Sequence, residues 1–304
     1  MGTLHVVATP IGHLEDVTLR ALGVLRAAGV VYAEDTRRTR VLFERHGIST
    51  RLVSLHAHNE TSRIPEVLAR LDAGEAVALV SDAGTPAVSD PGARLIAAVA
   101  DAGHAVVAVP GASALLAALA SSGLRIATFT FLGFVPRRPG ARRRLFESVA
   151  SSPAALVLYE APSRIGTTLA ELAEVLGKDR RAAVGRELTK LHEEVVRGTL
   201  AGLAEHFADG ARGEITLVVE GRDARAADAE EPVDEELLER SIEELAAAGL
   251  RTREIAAELA ERTGMARRAL YARVVATLGP GAPEQDELDG DDDSDAGDAE
   301  ASGS

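Results

Sequence analysis

The chain has no cysteine and no tryptophan, and only 3% of its residues are aromatic. Without cysteine it has no disulfides, no thiolate nucleophile and no Cys-ligated zinc. The shortage of rings leaves a core of Ala, Val, Leu and Ile, and argues against a nucleic-acid binder built on rows of stacking aromatics. No run of eighteen or more apolar residues occurs, so no transmembrane helix is expected. The start, MGTLHVVATP, lacks the basic and long apolar regions of a signal peptide, and it lacks the hydroxyl residue at position six that myristoylation requires. A cytoplasmic protein without a membrane partner is predicted. Among eight His residues there is no H-E-x-x-H spacing. His56 and His58 read as loop or strand-end residues, with metal binding as the alternative. No metal is expected.

What is present suits a soluble globular protein. The chain has 304 residues, 46% hydrophobic and 26% charged, enough for two ordinary domains. The net charge of −14 by itself disfavours a polyanionic partner. Ten of those negative charges, however, lie after Gly281, where there is no Lys or Arg, so the rest of the chain carries only −4. Local basic patches on that body decide nucleic-acid binding better than the total does.

The first half alternates short apolar runs with amphipathic stretches. Strands are predicted at Leu4–Ala8, Val30–Ala33, Arg51–Leu55, Ala76–Val80 and Ala105–Val109. Helices are predicted at Thr18–Ala28, Arg37–His46, Ser62–Leu71, Ala93–Ala102 and Ser113–Ser121, with Asn59 as an N-cap and Gly29, Gly47, Gly74 and Gly103 as helix stops. This rhythm predicts a parallel sheet covered on both faces. After Ser121-Ser122-Gly123 some strands lie too close together for helical crossovers, so a partly antiparallel sheet follows. The predicted organisation is an α/β domain over 1–122, a second over 123–221, a linker over 222–233, a helix-turn-helix-like module over 234–278 and a disordered acidic tail over 279–304. Thr252 begins a capping-box-like start in the module, and Ala256, Leu259, Leu270 and Val274 are its expected core.

Open parallel sheets bind ligands beyond the C-terminal ends of their strands. Three strand exits carry small, turn-forming residues: Thr9–Gly12, Ser81–Gly92 and Pro110–Ala114. An isolated Pro-Gly is ordinarily just a turn, but the middle exit spans about twelve residues, where a turn needs two to six. Neither a dinucleotide fingerprint nor a P-loop is present.

The segments TPIGHLEDVTLRAL, AEDTRRTRVL, SDAGTPAVSDPG, PGASA, YEAPSR and GRELTKLHEEVVRGTL follow one another in this order. On these motifs the chain closely resembles the bacterial 16S rRNA (cytidine 2′-O)-methyltransferases, a family of the tetrapyrrole-methylase-like superfamily, over about residues 4–221. It departs from that family's usual pattern at His13, Ala112 and Ser163. The resemblance implies a two-lobed fold, a homodimer, and S-adenosylmethionine as methyl donor in the cleft between the lobes. It implies that Pro10, Asp82, Ala83, Gly84, Thr85, Ala87, Ser89, Ser113 and Tyr159 line the donor pocket. The implied substrate is 16S rRNA in the decoding region of the small ribosomal subunit.

A ribose hydroxyl is a poor nucleophile at neutral pH, so a base or a nearby cation would help it react. The candidates are Asp35, Glu187 and Lys190. Asp35 reads equally as an N-cap, and Glu187 with Lys190 as a surface ion pair. Arg37, Arg38 and Arg40, and then Arg137, Arg138, Arg142, Arg143 and Arg144, are the candidate RNA contacts. The second group opens a helix, where the dipole disfavours cations, so an external phosphate explains it better than local stability does. Arg267, Arg268 and Arg273 are further candidates in the module. Two alternatives stand beside this reading: a tetrapyrrole methylase, which needs neither the arginines nor the helical module, and a ligand-sensing DNA-binding regulator, whose acidic tail would repel DNA.

Overall fold

The computed structural model describes residues 2–222, 235–263, 265 and 267–279. The predicted linker from 223 and the acidic tail from 280 lie outside the described residues. Two compact units divide the chain at Arg222.

The unit ending at Arg222 contains two five-stranded sheets. The first is wholly parallel, with β1 (Thr3–Val7), β2 (Val30–Ala33), β3 (Leu52–Ser54), β4 (Ala76–Val80) and β5 (Ala105–Val109) in the order β3-β2-β4-β1-β5. Side chains alternate across a strand, and both faces here are apolar. Leu4, Val30, Tyr32, Val77 and Leu79 join Val67, Leu71, Leu95 and Val99 of α3 (Glu60–Asp72) and α4 (Ala93–Asp101) on one face. Val7, Val31, Ala33, Ala78 and Val80 join Ala21, Leu22, Leu25 and Phe43 of α1 (Leu19–Ala27) and α2 (Thr36–His46) on the other. The neighbours β1 and β4 therefore send their following helices to opposite faces. The crevice between two such strand ends is where open α/β sheets take ligands.

The second sheet runs β6 (Phe129–Phe134), β7 (Ala155–Glu160), β10 (Ile215–Val219), β8 (Arg181–Arg186), β9 (Glu194–Thr199). Only β6 and β7 are parallel; the other pairs are antiparallel, as the short connections predicted. Leu156, Leu158, Leu217 and Val219 face α6 (Pro139–Ser148), α7 (Ile165–Leu176) and α8 (Leu200–His206). Val157 and Val218 face the opposite way and meet Ala118 of α5 (Ala114–Ser121). Thus α5 follows a strand of the first sheet but covers the second, which joins the lobes into one unit. Its end is held by Arg197 of β9, whose Nε donates to Ser122 O at 2.9 Å and whose Nη2 donates to Ser121 O.

Two predicted caps differ from expectation. Asn59 does precede α3, yet its Oδ1 accepts from His56 N–H and its Nδ2 donates to Ser54 O, so the side chain serves the preceding loop. Gly47, Gly74 and Gly103 are left-handed, whereas α1 ends on an extended Ala28 and Gly29 simply enters β2.

The C-terminal unit contains α9 (Glu235–Ala247), α10 (Thr252–Thr263) and α11 (Arg267–Leu278). The expected Ala256, Leu259, Leu270 and Val274 are buried there with Leu238, Ile242 and Ile255. The capping interaction lies one residue earlier than predicted: Arg251 N–H donates to Glu254 Oε2 at 2.8 Å. No helix among the described residues is long and apolar enough to cross a membrane.

Candidate active site

The three strand exits meet in one place. Thr9 and Gly84 form an antiparallel bridge, with Thr9 N–H donating to Gly84 O at 2.8 Å and Gly84 N–H to Thr9 O at 3.0 Å. The Thr9 hydroxyl donates to Ser81 O. A Cβ on Gly84 would touch Ile11 and Ala112 O, which places the third exit against the other two. Pro10, Gly84 and Pro86 are buried; Asp82, Ala83, Thr85, Ala87 and Ser113 are partly exposed.

Ala87 and Ser89 hold φ of 67°, a left-handed conformation that costs ordinary residues energy and that surrounding structure must impose. Ser113 is the residue before α5, but its side chain makes no cap bond. The N–H groups of Ala83, Thr85 and Ala112 meet no acceptor among the described residues. Unpaired amides, small residues and a free hydroxyl form a lining suited to a polar ligand with nucleoside and amino-acid ends.

Carboxylates gather beside this lining. Asp35 N–H donates to Asp82 Oδ1 at 2.9 Å, and Arg38 pairs with Asp82 Oδ2 at 3.3 Å. Burial and then the Asp82 charge push the Glu34 carboxyl above its ordinary range. Burial, followed by the field of Glu34, pushes Asp90 up to about 6. A negative environment of this kind favours a cationic ligand. Tyr159 of β7 closes the crevice from the second lobe; burial leads in pushing its hydroxyl above the ordinary value, with the Leu115 backbone opposing and the Asp90 charge adding to the shift. The Tyr159 ring lies 5.0 Å from Phe131 and 5.3 Å from Phe134.

The turn after β8 reaches the same crevice. Gly12 lies against Lys190 and Thr189, and His13 N–H donates to Thr189 Oγ1 at 3.1 Å. Lys190 Nζ donates to Glu187 Oε1 at 2.9 Å and stands 3.3 Å from Glu214 Oε2. Glu187 Oε1 also accepts from Glu214 N–H at 2.9 Å. Burial works against the Lys190 charge, but the hydrogen bond to Glu187 and the charge of Glu214 outweigh it and hold the ammonium above its ordinary value. The hydrogen bond from Lys190 leads in holding Glu187 below the usual carboxylate range. Glu187 and Thr189 also have positive φ, at 50° and 66°. All four non-glycine residues with positive φ among the described residues therefore lie in the two loops that face this crevice.

Two of the expected roles need correction. Asp35 caps α2 by accepting from Arg37 N–H at 2.9 Å, and its carboxylate is gripped by the Arg37 guanidinium at 3.0 and 2.6 Å. Those hydrogen bonds hold its carboxyl far below the usual range, so it is a poor base. No bond of Asp35 reaches the Glu187–Lys190 pair. Arg142 is 5% exposed and bidentate to Glu171, so it braces α6 against α7 and is not offered to a phosphate. Arg143 is exposed but shared with Glu147 and Glu174. Arg40, Arg137, Arg138 and Arg144 are exposed and have no ion pair among the described residues.

Residue-by-residue reading missed Glu34 and Asp90, although both stand in the quoted motifs AEDTRRTRVL and SDAGTPAVSDPG. It also missed Glu160 and Arg164 of YEAPSR. The fully buried Glu160 carboxylate accepts from Thr168 Oγ1 and Ala161 N–H, both at 2.5 Å, and pairs with Arg164. His13, a departure from the resembled pattern, keeps a local capping role: its Nδ1 accepts from Glu15 N–H. No group of three or more His, Asp or Glu residues that could hold a metal ion occurs among the described residues.

Residues 3–204 match the tetrapyrrole (corrin/porphyrin) methylase family. A protein of Mesorhizobium japonicum called ribosomal RNA small subunit methyltransferase I is 46% identical over 274 residues, which are 90% of this chain and 91% of that one. One of the same name from Pseudomonas aeruginosa is 42% identical over 281 residues, 91% of this chain and 98% of its own. Among solved structures, uroporphyrin-III-C-methyltransferase from Thermus thermophilus superposes with a TM-score of 0.54 at 23% identity, covering 72% of this chain and 94% of that one. A diphthine synthase superposes with a TM-score of 0.55 at 20% identity, covering 72% and 90%. These structures support the two-lobed fold, and the sequence relatives narrow the kinship further. The chain belongs to the tetrapyrrole methylase family and, within it, to the group of proteins called ribosomal RNA small subunit methyltransferase I.

Proposed function

We propose that the chain is an S-adenosylmethionine-dependent methyltransferase that methylates the ribose 2′-hydroxyl of a cytidine in 16S rRNA of the small ribosomal subunit. The single observation that carries this reading is the meeting of the strand exits of one lobe with the Glu187–Lys190 turn of the other at Gly12. Their names align the near relatives with small-subunit rRNA. In this reading 1–122 and 123–221 are the two catalytic lobes and 234–278 is an accessory module. The protein works in the cytoplasm as a homodimer and uses no metal.

The donor supplies an electrophilic methyl group on a sulfonium cation. Pro10, Asp82, Ala83, Gly84, Thr85, Ala87, Ser89, Ser113 and Tyr159 would hold it, the free amides taking its polar edges. Asp90 and Glu34 make the surroundings negative enough for its positive charge. Methyl transfer is an in-line displacement, so most of the rate comes from aligning hydroxyl and methyl group. Lys190, kept protonated by Glu187 and Glu214, is a fixed cation that would stabilise the alkoxide as the attacking hydroxyl gives its proton to water, the new O–C bond forming while the donor's C–S bond breaks and a neutral thioether leaves. Glu187 orients Lys190. Arg137, Arg138 and Arg144, with Arg37, Arg38 and Arg40, supply the basic surface for the RNA backbone.

The test is to incubate the protein with labelled donor and either assembled small subunits or a tetrapyrrole precursor, then to map the label. Label on a ribose of 16S rRNA is expected. Label on porphyrinoid carbon, with none in RNA, would overturn the reading in favour of a small-molecule methylase.

A further inference from the structure

The chain contains six Phe, three Tyr and no Trp, yet three of these rings meet at the mouth of the cleft. One of them, Phe134, is 63% exposed, more than any other aromatic side chain among the described residues. A single exposed apolar side chain is ordinary; what distinguishes Phe134 is that its ring packs on a second ring beside the strand exits.

Its direction is set by the backbone. In a regular strand Phe131 and Phe134, three residues apart, would point to opposite faces. The pairing of β6 with β7 shifts register between these two residues, and Gly133 adopts φ of 68°. Such a bulge re-aims a side chain, and bulges concentrate beside active sites. Here both Phe131 and Phe134 come to lie against Tyr159, on the cleft side. The bulge also adjoins the long strained loop, since a Cβ on Gly133 would stand 3.5 Å from Ser89 Oγ.

The chain continues through buried Val135 and half-buried Pro136 to exposed Arg137 and Arg138. This turn is held from behind. Arg164 donates to Val135 O at 3.2 Å and to Pro136 O at 3.4 Å while paired with the buried Glu160. An exposed ring braced by a second ring and followed by two guanidinium groups without acidic partners among the described residues combines a stacking face with phosphate contacts. Resting on the RNA reading above, we infer that Phe134 stacks on a nucleobase of the RNA substrate while Arg137 and Arg138 hold the adjacent phosphates. Arg164 is the positioning residue of this platform.

The experiment compares Phe134→Ala, Phe134→Leu and Phe134→Tyr with the parent chain. Its readouts are steady-state methylation of assembled small subunits, donor affinity by calorimetry, quenching of 2-aminopurine in a single-stranded oligoribonucleotide, and sedimentation. Phe134→Ala and Phe134→Leu should raise KM for subunits roughly tenfold and lose the quenching, with donor affinity unchanged. Phe134→Tyr should restore both. Full recovery by Leu would overturn stacking in favour of simple apolar contact. A matching loss of donor affinity would assign the ring to the donor's adenine, and a change in oligomeric state would place it between two copies of the chain. If the parent chain labels no RNA, the proposed function itself falls. If it labels RNA and Phe134→Ala does so with unaltered KM, only the stacking inference falls.

Discussion

Gly12 lies so close to Lys190 that a Cβ on the glycine would stand 2.5 Å from the lysine Cγ and 2.7 Å from Thr189 Oγ1. The first strand exit of one lobe thus touches the charged turn of the other through a position where any side chain would intrude. Gly12→Ala should displace Lys190 and lower kcat at least tenfold, because small misplacements of aligned groups are costly in a displacement reaction. Gly12 itself is exposed, so the melting temperature should move by only a few degrees. An equally large fall in melting temperature and in activity would show that Gly12 serves folding rather than alignment.

Lys190→Met removes the cation while keeping most of the apolar stem. A fall in kcat of ten- to a hundredfold is expected, with donor affinity within about twofold, since the proposed work of Lys190 is done on the attacking hydroxyl. Lys190→Arg should recover part of the loss. Isothermal titration and single-turnover kinetics separate the two effects. A large loss of donor affinity without a change in the chemical step would contradict the assignment.

Asp90 carries a pH dependence with a definite sign. Its carboxyl is raised from an ordinary value of 3.8 to about 6 by burial and then by Glu34. The native state binds this proton more tightly than the unfolded chain does. The Asp90 contribution to stability is therefore most favourable below about pH 4, falls as pH rises to about 6, and stays lower above. Asp90→Asn should stabilise the protein at pH 8 by about 1 kcal/mol after allowance for solvent screening. The gain should vanish near pH 4. Thermal melts at the two pH values test this, and equal shifts at both would exclude the electrostatic cause. The same variant should bind a cationic donor more weakly.

The arginines of α6 and the loop before it should separate by function. Arg142→Met leaves Glu171 without its guanidinium partner and should cost about 2 kcal/mol of stability, with the salt dependence of RNA binding unchanged. Arg137→Ala with Arg138→Ala should leave stability within about 0.5 kcal/mol. That pair should weaken RNA binding and flatten its dependence on salt by roughly one to two phosphate contacts. Binding titrations between low and moderate salt measure the slope. An unchanged slope would remove these two residues from the RNA surface.

Arg197→Ala releases the end of α5 from β9 by deleting the donors to Ser121 O and Ser122 O. The expected results are a loss of about 1–2 kcal/mol and a raised KM for both substrates, with Lys restoring part of each. Denaturant titration together with kinetics would show whether the link matters only for folding.

Much of this protein was determined by the sequence itself, wherever local periodicity and turn chemistry decide the outcome. Strands β2, β4 and β5 have the predicted bounds, because their apolar runs end there at turn-forming residues. The unusual length of Ser81–Gly92 by itself marks it as more than a turn. The tertiary structure alone decided what depends on partners distant in sequence. It buried Arg142 against Glu171, made Asp35 a cap, and laid α5 on the second sheet rather than its own. It also turned Phe134 against Tyr159 through a bulge at Gly133 and set Gly12 against Lys190. The linear spacing of an arginine, a phenylalanine or a glycine carries no record of such neighbours. The physical reason is that periodicity is a property of one segment, whereas burial, pairing and pKa are properties of the space between segments.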